Sequence, residues 1–261
     1  LLFKLFTSLG YRCGMLSTVV NKIVDNEIPS THTTPDPLQL NALLAKMVEA
    51  GCTHCFMEVS SHSVDQGRIA GLEFAGGIFT NITHDHLDYH VTFDNYIRAK
   101  KGFFDGLSAK AFALVNGDDK RGAVMLQNCR AKKCSFSLQR MADYRARIIT
   151  NSIEGLELEI DGKQAWFRLV GDFNAYNLLS VYAAACLLGE QSDEVLTALS
   201  SLTGASYLML ASLVCMLAGL PPWRVAVVAR AASVVELPSG ALRACVVALG
   251  DHLRLEGEGR P

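Results

Sequence analysis

Short apolar runs alternate along this chain with longer stretches in which apolar residues recur every three or four positions. Leu2, Phe3, Phe6 and Leu9 share one helix face, and Gly10 suits the left-handed position that closes such a helix. Arg12–Val20 reads as a strand, followed by a polar stretch that ends in T-H-T-T-P-D-P. Two prolines and an aspartate there predict a helix start, with Asp36 at the N-cap and Pro37 in the first turn. Leu40, Leu43, Leu44, Met47 and Val48 continue that helix on one face, and Gly51 ends it. His54–Val59 and Gly76–Asn81 are short apolar runs bounded by polar residues, the pattern of buried strands. Phe93–Phe104 reads as a helix bearing Lys100, Ala111–Asn116 as a strand, and Asn116-Gly117-Asp118-Asp119 as a turn into the next helix.

Strands alternating with helices predict an α/β fold with a mainly parallel sheet flanked by helices. The texture changes over Tyr144–Val170, where Arg145–Thr150, Leu156–Ile160 and Ala165–Val170 have strand character and Asp161-Gly162 is a hairpin turn. This predicts a small antiparallel β annex. Asn174–Leu188 returns to helix, and Ser192-Asp193 supplies a cap for another. A break follows: lysine, asparagine and isoleucine occur throughout the earlier part but not from Ala205 onward. The expected division is a principal domain over 1–203 and an atypical tail over 204–261. The uncharged stretch Tyr207–Leu220 ends at Pro221-Pro222 and is short of the ~20 apolar residues of a membrane span, which disfavours a transmembrane helix.

Length and composition narrow the function classes. The 261 residues, half of them hydrophobic, suffice for one large or two small domains with a sizeable core. A net charge of −2 without a basic, aromatic-interleaved run argues against nucleic acid. The eight cysteines are scattered, which suits a reducing cytoplasm. Cys52 and Cys55 form a lone C-x-x-C without a second pair at zinc-ribbon spacing, and Cys55 reads as a small core hydrophobe. Leu1–Leu9 is interrupted by Lys4 and lacks a cleavage site, so it is not a signal peptide.

Ligands of an open parallel sheet bind at the carboxyl ends of its strands. Glu58, Ser60, Ser61, His62, His84, Asp85, His86 and Asp88 follow two predicted strands and are expected along one sheet edge. Acids, imidazoles and hydroxyls together there suggest metal-assisted chemistry on an anionic substrate. Thr33, Thr34, Ser60, Gln66 and Arg68 suit an anionic, sugar-containing molecule. Each has a plainer reading. Lys100 and Lys101 read as surface lysines, the threonines as turn chemistry before Pro35, and Arg68 as a partner of Asp65. Asn174 reads as a helix cap, and His84, His86 and His90 as partly solvated polar residues.

T-T-P-D-P, E-V-S-S-H, T-N-I-T-H-D-H-L-D-Y-H, A-K and G-D-F-N-A-Y-N occur in this order from Thr33 to Asn177. The series resembles the central domain of the Mur ligases, of the MurE type, and the likeness covers Leu1 to about Thr203. The resemblance implies a P-loop-type sheet and a cytoplasmic, monomeric, ATP-dependent ligase of peptidoglycan precursor synthesis. Its substrates would be UDP-MurNAc-L-Ala-D-Glu and an amino acid, meso-diaminopimelate or L-lysine, joined through an acyl phosphate. It implies Mg²⁺ held by Glu58, His86 and Lys100, with Lys100 as N6-carboxylysine. It also implies UDP-MurNAc-dipeptide contacts from Thr33, Thr34, Ser60, Gln66 and Arg68, and ATP base contacts from Asn174 and Asn177. The family's phosphate loop, G-T-N-G-K-T, would precede Leu1, and no G-x-x-x-x-G-K-[ST] occurs within the chain. The family's G-R-F-type segment is also missing after Thr203, so the chain reads as a fragment with an aberrant tail, from which ligation is not expected. Two other classes stay open: a metal-dependent amidohydrolase, from the H-x-H and a bridging lysine, and a non-catalytic UDP-sugar-peptide binding module.

Overall fold

A computed structural model describes residues 1–83 and 87–202, together with strands at 226–230, 232–236, 245–248 and 254–255. The chain opens with α1 (Leu2–Ser8), β1 (Cys13–Leu16), β2 (Val20–Ile23), β3 (Asn26–Pro29) and α2 (Pro37–Glu49). Next come β4 (His54–Met57), α3 (Ser61–Asp65), β5 (Gly76–Phe79), α4 (Leu87–His90) and α5 (Phe93–Asp105). Then follow β6 (Phe112–Asn116), α6 (Gly122–Met125), β7 (Lys132–Ser137), β8 (Tyr144–Ser152), β9 (Gly155–Ile160) and β10 (Lys163–Phe167). Helices α7 (Asp172–Leu187) and α8 (Ser192–Ser201) complete the part covered by the resemblance.

The strands form a four-stranded sheet in the order β3-β2-β1-β4 and a six-stranded sheet in the order β10-β9-β8-β7-β6-β5. β4 runs parallel to β1, and β5, β6, β7 and β8 are mutually parallel neighbours. The antiparallel annex is therefore a continuation of the main sheet, joined through β7 and β8. Asp161 (φ 51°) and Gly162 (φ 79°) make its β9–β10 turn, with both residues in the left-handed region that a two-residue hairpin needs.

β6 is buried at every position and feeds two cores by alternation. Phe112 and Leu114 join the core under α1, α7 and α8, while Ala113 and Val115 join the one under α5 and α6. A third core packs Leu40, Leu43 and Met47 of α2 on Leu16 and Ile23. Val48, expected on that face, is 74% exposed instead. Asp36 caps α2 as expected, its carboxylate accepting from the Leu38 and Gln39 amides at 3.0 and 3.1 Å.

Several boundaries differ from the sequence reading. The expected strand Arg12–Val20 is two strands, β1 and the start of β2, with the β2–β3 hairpin falling in the stretch read as polar loop. β7 was not expected at all. Ser192 begins α8 but does not cap it; the N-cap is Gln191. Cys55 is exposed rather than core.

The tail strands β11 (Ala226–Arg230), β12 (Ala232–Glu236), β13 (Cys245–Ala248) and β14 (Arg254–Leu255) form an antiparallel meander. The segment Tyr207–Leu220 lies outside the described residues. Among the described residues no helix is long and apolar enough to cross a membrane.

Candidate active site

β4 and β5 each have a ladder partner on one edge among the described residues. Between them lies a cavity of about 620 Å³ whose walls include both strands along their whole length. Glu58, Thr80, Asn81 and Lys100 line it at the carboxyl ends of these strands, where an open parallel sheet places its ligands.

Glu58 follows β4 directly, and its amide donates to the Leu16 carbonyl at 2.9 Å, continuing the register with β1. Its carboxylate accepts from the Thr18 amide at 2.9 Å and the Thr18 hydroxyl at 2.6 Å. Thr18 in turn lies 3.1 Å from Thr33, hydroxyl to hydroxyl. Thr34 is fully buried: its hydroxyl donates to the Glu58 carbonyl at 2.8 Å and accepts from the Ser60 amide at 3.1 Å. So Thr33 and Thr34 are more than turn chemistry, because Thr34 ties the T-T-P-D-P loop to the end of β4 and Thr33 ties it to the loop after β1. Ser60 caps α3 by accepting from the Ser63 amide at 3.1 Å.

Arg68 donates to the Thr34 carbonyl at 2.9 Å and to Gln66 at 2.8 Å. The expected Arg68–Asp65 pair is not made, since Asp65 accepts from the Tyr89 hydroxyl at 2.8 Å. That hydroxyl also accepts from the Gln66 amide nitrogen at 3.1 Å. Thr33, Thr34, Ser60, Gln66 and Arg68 are therefore one connected cluster beside Glu58.

Lys100 stands on α5 across the cavity, its ammonium 5.1 Å from the centre of the Tyr96 ring. Tyr96 stacks on His90 with ring centres 5.3 Å apart, and His90 Nε2 lies 2.9 Å from the Ser61 hydroxyl. His90 is buried, contrary to the expectation of a solvated histidine. Lys101 is not a free surface lysine either; it pairs with Asp105 at 2.6 Å. His84, Asp85 and His86 lie outside the described residues. Among the described residues no group of three or more His, Cys, Asp and Glu side chains stands together as a metal site.

Asn174 and Asn177 sit in the first turns of α7, whose N-cap is Gly171. Asn174 is buried and donates to the Val170 carbonyl at 2.8 Å, and Asn177 approaches its oxygen at 3.4 Å. Asn174 thus fastens the helix start without being its cap, and Asn177 is half-exposed.

The sequence reading missed Thr18, Tyr89, Tyr96 and Asp118, whose side chain is buried. Thr18 had a usable signal, because it follows the carboxyl end of a parallel strand; reading Arg12–Val20 as one strand hid it. Asp118 accepts from the Ser137 hydroxyl at 2.7 Å, the Leu138 amide at 2.9 Å, the Gln139 amide at 3.2 Å and the Tyr176 hydroxyl at 3.0 Å. Burial by itself would raise its pKa, but these donors outweigh it and hold the carboxyl below its ordinary value. On the other side of that bond, burial and the nearby Asp118 push the Tyr176 hydroxyl up to about 12.

Residues 1–185 match the family model of the Mur ligase middle domain. The chain belongs to the Mur ligase family. It is 63% identical over 206 residues to a UDP-N-acetylmuramoyl-L-alanyl-D-glutamate–2,6-diaminopimelate ligase of Cytophaga hutchinsonii, covering 79% of this chain and 42% of that protein. The like-named ligase of Parabacteroides distasonis is 56% identical over the same shares. A solved structure of a ligase of this name superposes with a TM-score of 0.69 at 29% identity, over 78% of this chain and 43% of the other. MurF from Acinetobacter baumannii, at 17% identity and a TM-score of 0.60, shares the Mur ligase fold. The chain spans about two-fifths of the length of these relatives.

Proposed function

We propose that this chain is the nucleotide- and metal-handling part of an ATP-dependent ligase that adds meso-diaminopimelate to UDP-MurNAc-L-Ala-D-Glu in the cytoplasm. The observation that carries the reading is that Glu58 and Lys100 line one cavity at the carboxyl ends of β4 and β5, beside the connected cluster of Thr33, Thr34, Ser60, Gln66 and Arg68. Diaminopimelate is favoured over L-lysine by the names of the similar ligases. The family-model match over 1–185 supports a family domain in the first part of the chain, which this reading extends to about 203, with 204–261 as a separate tail.

In this reading the D-glutamate carboxylate takes the γ-phosphoryl group of ATP. The incoming amine then attacks the acyl carbon, and phosphate leaves. The exposed Glu58 carboxylate and the Thr18 and Thr33 hydroxyls are hard oxygen donors, which fits a magnesium ion. Glu58, His86 and Lys100 would hold it, and a bound ion would offset charge on the phosphates. Lys100 is an oxygen ligand only as the carbamate, N6-carboxylysine, since an ammonium has no lone pair to give. Arg68 and the threonines would orient the anionic substrate, and Asn177, braced by Asn174, would meet the adenine edge.

The test is Lys100→Ala in the full-length protein, assayed with UDP-MurNAc-dipeptide, ATP and diaminopimelate. Turnover should fall on the order of 100-fold or more and recover partly with short carboxylic acids that replace the carbamate. Unchanged turnover in the variant would sink the carboxylysine assignment. An amidohydrolase would instead turn over without nucleotide.

A further inference from the structure

We propose that the turn Asn116–Asp119 is a positioning element that holds the cavity end of β5 in register with the start of α7; the inference rests on the ligase reading above. The turn reaches β5 through two side chains. Asn116 is 7% exposed and donates to the Thr80 carbonyl at 2.9 Å, while its own oxygen accepts from the Asp118 amide at 2.9 Å. Asp119 uses both carboxylate oxygens: one accepts from the Ile82 amide at 3.2 Å, the other from the Arg121 amide at 2.7 Å. Thr80 and Ile82 are thus pinned on either side of Asn81, and Thr80 and Asn81 line the cavity with Glu58 and Lys100.

The same turn reaches α7 through Asp118. Its oxygens accept from the end of β7 at Ser137, Leu138 and Gln139, and from the Tyr176 hydroxyl. Tyr176 stands between Asn174 and Asn177 in the sequence of α7. Gly117 adds a backbone bond to the Phe136 carbonyl at 2.8 Å. A four-residue turn with three polar side-chain anchors, Asn116, Asp118 and Asp119, in two directions leaves little freedom between the two ends of the site. Neither Asn116 nor Asp119 lines the cavity, so they act through the backbone they hold.

Positioning to within a fraction of an ångström governs transfer between bound groups. In the full-length ligase, Asp119→Ala should lower kcat about 10- to 100-fold while KM for ATP stays within about threefold. Asp119→Asn keeps one acceptor oxygen and should restore much of that loss. Tyr176→Phe, on the α7 side, should raise KM for ATP about threefold or more. Equal kcat losses in Asp119→Ala and Asp119→Asn that track melting temperature would mean a structural role only, and would overturn the proposal. So would an unchanged kcat in Asp119→Ala, and an unchanged KM in Tyr176→Phe would overturn the α7 half. Hydrogen exchange separates this inference from the ligase reading. In Asp119→Ala the Ile82 amide should exchange about tenfold faster, with β6 unaffected. Should Glu58→Gln retain full turnover, the ligase reading fails and the exchange result alone decides: an Ile82 amide that exchanges as before overturns the positioning role.

Discussion

Asp118 and Thr34 show how much a single buried polar side chain does in this molecule. Thr34 joins the T-T-P-D-P loop to β4 with one hydroxyl acting as donor and acceptor, so neither the Glu58 carbonyl nor the Ser60 amide is left unpaired. Asp118 collects four donors from β7 and α7 and titrates below its ordinary pKa of 3.8. A carboxyl depressed in the folded state stabilises that state above its unfolded pKa, and the contribution is lost as pH falls through the folded value. Stability should therefore decline as pH drops below about 4, and Asp118→Asn should remove part of that slope. Urea midpoints of the two proteins across the acid range measure it, and parallel curves would show that Asp118 does not contribute. The residues named from sequence were legible because their chemistry is local: a carboxylate after a strand, hydroxyls before a proline, an arginine after a short helix. Their partners were not, because Thr18 reaches Glu58 and Asp118 reaches Tyr176 across gaps of 40 and 58 residues.

At the scale of elements, amphipathic helices and apolar strands were readable, and half-polar strands were not. α2 and α5 carry caps and periodic faces, and β6 is an unbroken apolar run until Asn116. β2 (V-N-K-I), β3 (N-E-I-P) and β7 (K-K-C-S-F-S) have too few apolar residues for such a signal, and pairing with neighbours defines them. The start of α6 shows a constraint that pairing and pattern both conceal. A Cβ on Gly122 would lie 2.3 Å from the Asn116 carbonyl oxygen, a backbone atom that cannot swing away. Gly122→Ala should cost about 1–3 kcal/mol, because the turn itself must shift. Thermal or denaturant unfolding measures this, and a variant as stable as the parent would show that the turn has slack.

At the scale of the whole molecule, the salient feature is a cavity lined by β4 of one sheet and β5 of the other. β6 is hydrogen-bonded to β5 on one edge and β7 on the other, whereas β4 and β5 each have one laddered edge among the described residues. Every residue of β4 is at least partly exposed, though it reads as a buried strand. In this chain, amides of β4 and β5 should exchange at least about tenfold faster than those of β6. Equal protection, measured by exchange and mass spectrometry, would mean that the cavity edges of β4 and β5 are paired in solution. The sequence by itself determined the α/β class, the main helices and the residues that resemble those of Mur ligases. These follow from short-range periodicity, caps and motif order, which the local chain carries. Tertiary structure alone decided that β4 and β5 belong to separate sheets and that the antiparallel strands extend the main one. It also decided that Asn116, Asp118 and Asp119 bind β5 to α7. Each of these depends on contacts between residues distant in the chain, and periodicity along a single strand or helix carries no information about its partner.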